Sequence, residues 1–147
     1  MIKGLLIEEP SKEKMNDVKT VIVKSEDDCC RIIKCIRTNV RKYEVGGKRY
    51  SFIYDNAFLF NDKIQMTVAT CDGYPLIVGN VYICGFEDNE GVETSLTDAD
   101  IENIKSHLRT IEFLNGITGN VLLIDKSIAE LRENDENYST GIDECLK

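Results

Sequence analysis

Any chemistry in this chain has to come from a few sets of side chains: six cysteines, one histidine, an acid-rich stretch and a base-rich stretch. Cys29, Cys30, Cys35, Cys71, Cys84 and Cys145 are irregularly spaced and include no C-x-x-C pair, the spacing with which two thiolates reach one metal ion. His107 has no second ligand at helical spacing, so neither a metal nor a cofactor is expected. Nucleophilic catalysis needs a hydroxyl or thiol with a base in reach, and no G-x-S-x-G, P-loop or dinucleotide fingerprint occurs to organise one. The chain therefore reads as non-enzymatic. A phosphoester-cleaving site around Asp55 and Asp72 is the enzymatic alternative, and nothing in the spacing favours it.

Binding chemistry is better represented. Residues 87 to 102 hold Glu87, Asp88, Glu90, Glu93, Asp98, Asp100 and Glu102 with no lysine or arginine. Such a run can imitate a row of phosphates and occupy a basic groove on a protein partner, with Glu130, Glu133, Asp135 and Glu136 extending it. It also suits a polar turn followed by a helix start that favours acids. Residues 31 to 50 carry Arg31, Lys34, Arg37, Arg41, Lys42, Lys48 and Arg49 against the one acid Glu44. That stretch would bind a nucleotide or small anion, with Tyr43 and Tyr50 stacking on a base, or would be a solvated face balancing nearby acids. A net charge of −8 opposes direct nucleic-acid binding, which gains affinity by replacing phosphate counterions.

The elements that must position these groups follow from pattern. At 147 residues the chain is expected to form one core. Its apolar runs fall far short of the roughly 20 residues that cross a bilayer, and its first residues carry no export pattern, so no membrane partner is expected. Cysteines used as small hydrophobes in a reducing compartment place it in the cytoplasm. Strands are predicted over residues 2–8, 18–24, 40–45, 48–54, 64–71, 77–86 and 121–124, with Gly46-Gly47 as a hairpin turn and a bulge at Gly79-Asn80. Ser25 and Thr97 each stand three residues before an aspartate and predict helix starts. The first helix runs to Arg37, burying Cys29, Ile32, Ile33 and Ile36; the second buries Ile101, Ile104, Leu108 and Ile111 up to Asn115-Gly116, with His107 on its exposed side. Phe58-Leu59-Phe60 precedes a turn at Asn61-Asp62, and Asp88 to Gly91 is another turn. The predicted fold is α+β, a mainly antiparallel sheet with two helices packed on it, in a domain of residues 1–124 followed by a short helix and an acidic tail over 125–147. An exposed hairpin edge would allow a homodimer.

Ile77-Val78-Gly79-Asn80-Val81, then Glu90-Gly91, then Ser95-Leu96-Thr97-Asp98-Ala99-Asp100-Ile101 make the chain resemble a family of small domain-of-unknown-function proteins. These are carried by phages, plasmids and integrated elements of Firmicutes. The resemblance covers residues 18 to 108 and rests mostly on turns and caps. It implies a mobile-element setting, in which small acidic proteins resemble inhibitors of host defence that occupy a host protein or a signalling nucleotide. The Tyr54-Asp55-Asn56-Ala57 segment lacks the proline such proteins often have, and the chain from Asn115 onward departs from them.

Overall fold

A computed structural model describes residues 1–11, 13–55, 65–87, 92–114 and 116–134. Strand β1 (Ile2–Ile7) pairs antiparallel with β2 (Val18–Val23). Helix α1 (Glu26–Ile33) begins where the Ser25 hydroxyl accepts the Asp28 N–H at 3.2 Å, and its first-turn acids face the positive end of the helix dipole. Strands β3 (Thr38–Val45) and β4 (Lys48–Asp55) form a hairpin over Gly46 and Gly47, whose φ angles of 59° and 84° are those a two-residue turn demands. After them come β5 (Met66–Ala69), β6 (Pro75–Val78), β7 (Val81–Phe86) and the two-residue β8 (Glu93–Thr94). Helix α2 (Asp98–Lys105), β9 (Leu108–Glu112), β10 (Thr118–Leu123) and α3 (Ile128–Asn134) complete the described elements.

These strands build two sheets. The first has the order β2-β1-β7-β4-β3, with β8 on the end of β7, and every pairing in it is antiparallel. The second has the order β6-β5-β10-β9, in which β5 and β10 run parallel. The α+β, mainly antiparallel expectation therefore holds. The central strands β1 and β7 of the first sheet are apolar on both faces because both are covered there, whereas the edge strands β2 and β3 are partly exposed. Leu5, Ile7, Phe52, Val81 and Ile83 point to the second sheet, where Val68, Ile77 and Leu122 meet them in the main core. The alternate residues Leu6, Tyr82 and Cys84 point the other way, onto Cys29 and Ile33 of α1. Each fully buried aliphatic side chain here contributes about 1.5–3 kcal/mol, so α1 is held by its few apolar contacts far more than by helix propensity.

Several expectations change. The first helix stops at Ile33, since Lys34 turns left-handed (φ 66°) and the Cys35 N–H closes back on the Cys30 carbonyl at 3.0 Å; Ile36 is left 95% exposed instead of buried. The second helix stops at Lys105: Leu108 and Ile111 belong to β9, which pairs with β10, and the β-branched Thr110-Ile111 step suits that strand. The run from Ile77 to Phe86 is not one bulged strand. Gly79, at φ 82°, and Asn80 carry the chain from β6 in the second sheet to β7 in the first. The short helix expected after residue 124 is present as α3, where Leu131 packs on the main core and the Asp125 N–H bonds the Glu44 carbonyl at 2.8 Å. The predicted turns at Asn61-Asp62 and Asp88 to Gly91, the Phe58 to Phe60 run and the tail beyond residue 134 lie outside the described residues.

Candidate functional site

Helix α1 covers only part of the outer face of the first sheet, and beside it lies a cavity of about 360 Å³. Ile53, Tyr82 and Cys84 form its floor; Cys29 of α1 and Val40 of β3 are among its walls. The mouth carries Glu26, from the first turn of α1, and Glu93 of β8. Strand order brings these together: Ile2 pairs with Val23 just before α1 begins, while β7 runs antiparallel to β1 and ends at β8.

Tyr82 shapes the floor. Its hydroxyl lies 2.9 Å from the Ile2 carbonyl and 3.0 Å from the Val21 carbonyl, so the ring lies across β1. Gly4 is the residue underneath, where any Cβ would strike the ring and the Ile83 carbonyl. Next to Cys84 in the sheet register stands Ser51, wholly buried, on the α1 face because it is two residues from Ile53. Its hydroxyl has no hydrogen-bond partner among the described residues.

The thiols are not poised for reaction. Burial, then the neighbouring Cys30 thiol and the Glu26 and Glu93 carboxylates, pushes Cys29 up to about 12. Burial, then Glu93 and Cys29, does the same to Cys84, also to about 12. At about pH 8 only about one in 10⁴ of such thiols is ionised, and iodoacetamide attacks the thiolate. Native protein is therefore expected to be alkylated at the exposed Cys71 while Cys29 and Cys84 stay unmodified until denaturant is added. Peptide mass mapping checks this; equal labelling of Cys84 and Cys71 in the native state would contradict the buried floor.

The acid-rich stretch divides. Glu87 and Glu102 are exposed, and the Asp98 side chain is 98% exposed with Lys3 Nζ 3.2 Å away. Glu93 is half-buried at the cavity. Asp88 and Glu90 lie outside the described residues. Asp100 departs from the expected surface: it is only 7% exposed, closes a capping box with Thr97, receives Lys48 Nζ at 2.8 Å and accepts the Tyr50 hydroxyl at 3.1 Å. Burial alone would raise its carboxyl, but hydrogen bonds from Lys48, the Thr97 backbone and Tyr50 prevail and hold it at about 2.

The base-rich stretch is largely engaged within the protein. Arg31 pairs with Asp28 at 2.8 Å, Lys48 with Asp100, and Arg41 Nε donates to the Tyr54 hydroxyl at 2.9 Å. Lys42 and Arg49 flank the Phe86 ring at 4.4 and 5.8 Å. Lys34 and Arg37 are exposed. Tyr43 and Tyr50 do not present rings for stacking on a base, being 3% and 0% exposed, because strand alternation turns both into the main core. The hairpin turn does bind an anion, and that anion is internal: Gly46 N–H and Gly47 N–H each donate to the Asp125 carboxylate at 2.7 Å. The Lys48–Asp100 contact joins the two charged stretches, which are therefore not wholly segregated.

The enzymatic alternative gains no geometry. Asp72 accepts from the Thr70 hydroxyl and, at 3.3 Å, from the Ile128 N–H; the Thr70 bond foremost lowers its carboxyl below the usual value, which makes it a turn residue. Asp55 ends β4 in the other sheet. His107 Nδ1 lies 2.9 Å from the Asn103 carbonyl at the end of α2, the position of a helix-capping side chain. Among the described residues no group of His, Cys, Asp and Glu is arranged to hold a metal ion, and no helix is long and apolar enough to cross a membrane.

Two sheets with a partly covered outer face and a rimmed cavity define a strand-rich α+β protein with a concave candidate site among the described residues. No protein-family model, no curated protein and no solved structure matches the chain.

Sequence reading missed Glu26, Cys29, Tyr82 and Cys84 as one site, since they come from separate elements. The available signal was the β7 segment, apolar at consecutive positions, which requires cover on both faces of its sheet.

Proposed function

We propose that this chain is a non-enzymatic binding protein that docks a basic surface of a protein partner onto the acidic end of its first sheet, in the setting of a mobile-element inhibitor of host defence. The observation that carries it is the gathering of acids from two distant stretches at that end. Exposed Glu26 and Asp27 come from α1, and exposed Glu87, Asp98 and Glu102 from the segment around β8 and α2. Lys3, Lys24, Lys42 and Arg49 stand among these acids, so the end carries an excess of negative charge rather than a single sign, and such an excess speeds encounter with a basic partner. Binding of a nucleotide through residues 31–50 is the weaker reading, because the stacking tyrosines are in the core and several of the cations are already engaged.

The test is affinity capture from a host lysate with the native chain and with a variant carrying Glu87→Lys, Asp98→Lys and Glu102→Lys. A partner with a basic face should be retained by the native chain, be released as salt rises to roughly 0.3 M, and be lost from the variant. Retention of the same proteins by both chains at all salt concentrations would end the proposal.

A further inference from the structure

We propose that the cavity beside α1 is a binding site for a small organic cation with an apolar body, an alkyl- or aryl-ammonium or -guanidinium compound. The site goes beyond partner docking and does not depend on it: Glu26 is common to both, but Glu93 and the apolar floor belong to the cavity, while Glu87, Asp98 and Glu102 are not among its lining residues.

Size comes first. A volume of about 360 Å³ is around twelve times the share of one liquid water, and it falls within the range of small-molecule sites. That is too large for a single bridging water. Chemistry comes next. Val40, Ile53, Cys29 and Cys84 give the site an apolar side of carbon and un-ionised sulfur, on which the body of a ligand gains by leaving water, while Ser25, Thr38 and the charged residues make the remainder polar.

The charged groups of the lining are two carboxylates, Glu26 and Glu93, and two cations, Lys24 and the Met1 amino terminus, the latter on a residue 86% exposed and in no ion pair among the described residues. Among the described residues neither carboxylate has an ion-pair partner, although Glu93 is half-buried. A carboxylate partly removed from water without a cation beside it is an unfavourable arrangement that a bound ammonium would correct. Lys24 is exposed and carries its charge into solvent. An anionic ligand would meet both glutamates, and the first turn of α1 is already filled with Glu26, Asp27 and Asp28.

The test uses 2-phenylethylamine, its neutral isostere 2-phenylethanol and the small cation ethylammonium, each titrated into the full chain by amide-resolved NMR. Phenylethylammonium should perturb Val23, Cys29, Ile53 and Cys84 saturably. The alcohol and ethylammonium should each bind at least about tenfold more weakly, the difference expected of one charge-assisted hydrogen bond or of the lost apolar contact. Glu93→Gln, with Glu26→Gln as the companion variant should the first melt early, should bring amine affinity down to that of the alcohol. Equal binding of amine and alcohol, insensitivity to both variants, or no saturable shift at these residues up to about 10 mM amine would each overturn the proposal. The lysine-reversed docking variant should bind the amine like the native chain; loss of lysate capture with amine binding intact would separate the two ideas.

Discussion

Replacing Gly4 by alanine is expected to cost at least about 3 kcal/mol and to leave much of the protein unfolded under mild conditions. The added methyl would lie 2.5 Å from the Ile83 carbonyl oxygen and would strike the Tyr82 ring. The carbonyl cannot retreat, because Leu5 and Ile83 are register partners in the β1–β7 ladder and the main core packs beneath them. The ring cannot retreat without giving up its bonds to the Ile2 and Val21 carbonyls. Small-to-large changes in packed interiors usually cost about 1–3 kcal/mol, and a clash with backbone belongs at the upper end or beyond. Urea unfolding monitored by circular dichroism reads the loss; a midpoint within about 0.5 M of the native one would show that the ring moves freely. Tyr82→Ala is itself costly, but Gly4→Ala should cost less in that background than in the native chain, since one of the two obstacles is then gone.

The second large effect belongs to Asp100. Asp100→Ala should destabilise by about 2 kcal/mol: it removes the capping box of α2 and leaves the buried Tyr50 hydroxyl without this acceptor, while Lys48, 59% exposed, turns to water. Asp100→Asn should keep the shape and lose the charge, for a smaller cost. The same residue sets an acid limit. Its folded-state carboxyl sits at about 2 against an ordinary 3.8, so its contribution is fully present above about pH 4 and is lost as pH falls toward 2. Native protein should therefore lose stability across that window more steeply than Asp100→Asn. Parallel acid titrations of the two, with identical slopes, would show that the ion pair contributes nothing.

Local chemistry was the most legible part of the sequence. Gly46-Gly47 announces its turn because few other residues accept positive φ twice in succession, and Ser25 and Thr97 announce helix starts because a side-chain oxygen three residues before an amide can cap it. Helix ends were not legible. Ile36 and Leu108 continue an apolar three-four spacing, yet Lys34 turns left-handed without being glycine and Leu108 is claimed by β10. Spacing alone cannot register such long-range competition. The charged stretches were visible as composition, but the fate of each charge was not. Alternation along β3 and β4 sends Tyr43 and Tyr50 inward, and the distant Asp100 and Asp125 take up Lys48 and the turn amides. The cavity was invisible for the same reason, as its lining is drawn from both helix and strand segments from one end of the described chain to Glu93.

The parallel join between β5 and β10 has a consequence for synthesis. Every strand of the first sheet lies within residues 2–94, whereas the second sheet closes only when Val68 meets Leu122 and Ala69 meets Leu123. Joining ends so far apart in sequence is entropically slow. A chain emerging from the ribosome would thus have only Val68, Leu76 and Ile77 of β5 and β6 to set against Leu5, Ile7, Phe52 and Ile83, and the share of that wall met by Leu122 would stay bare until β10 arrives. Chaperone engagement should concentrate in that interval, and translation pausing just before residue 118 should raise aggregation.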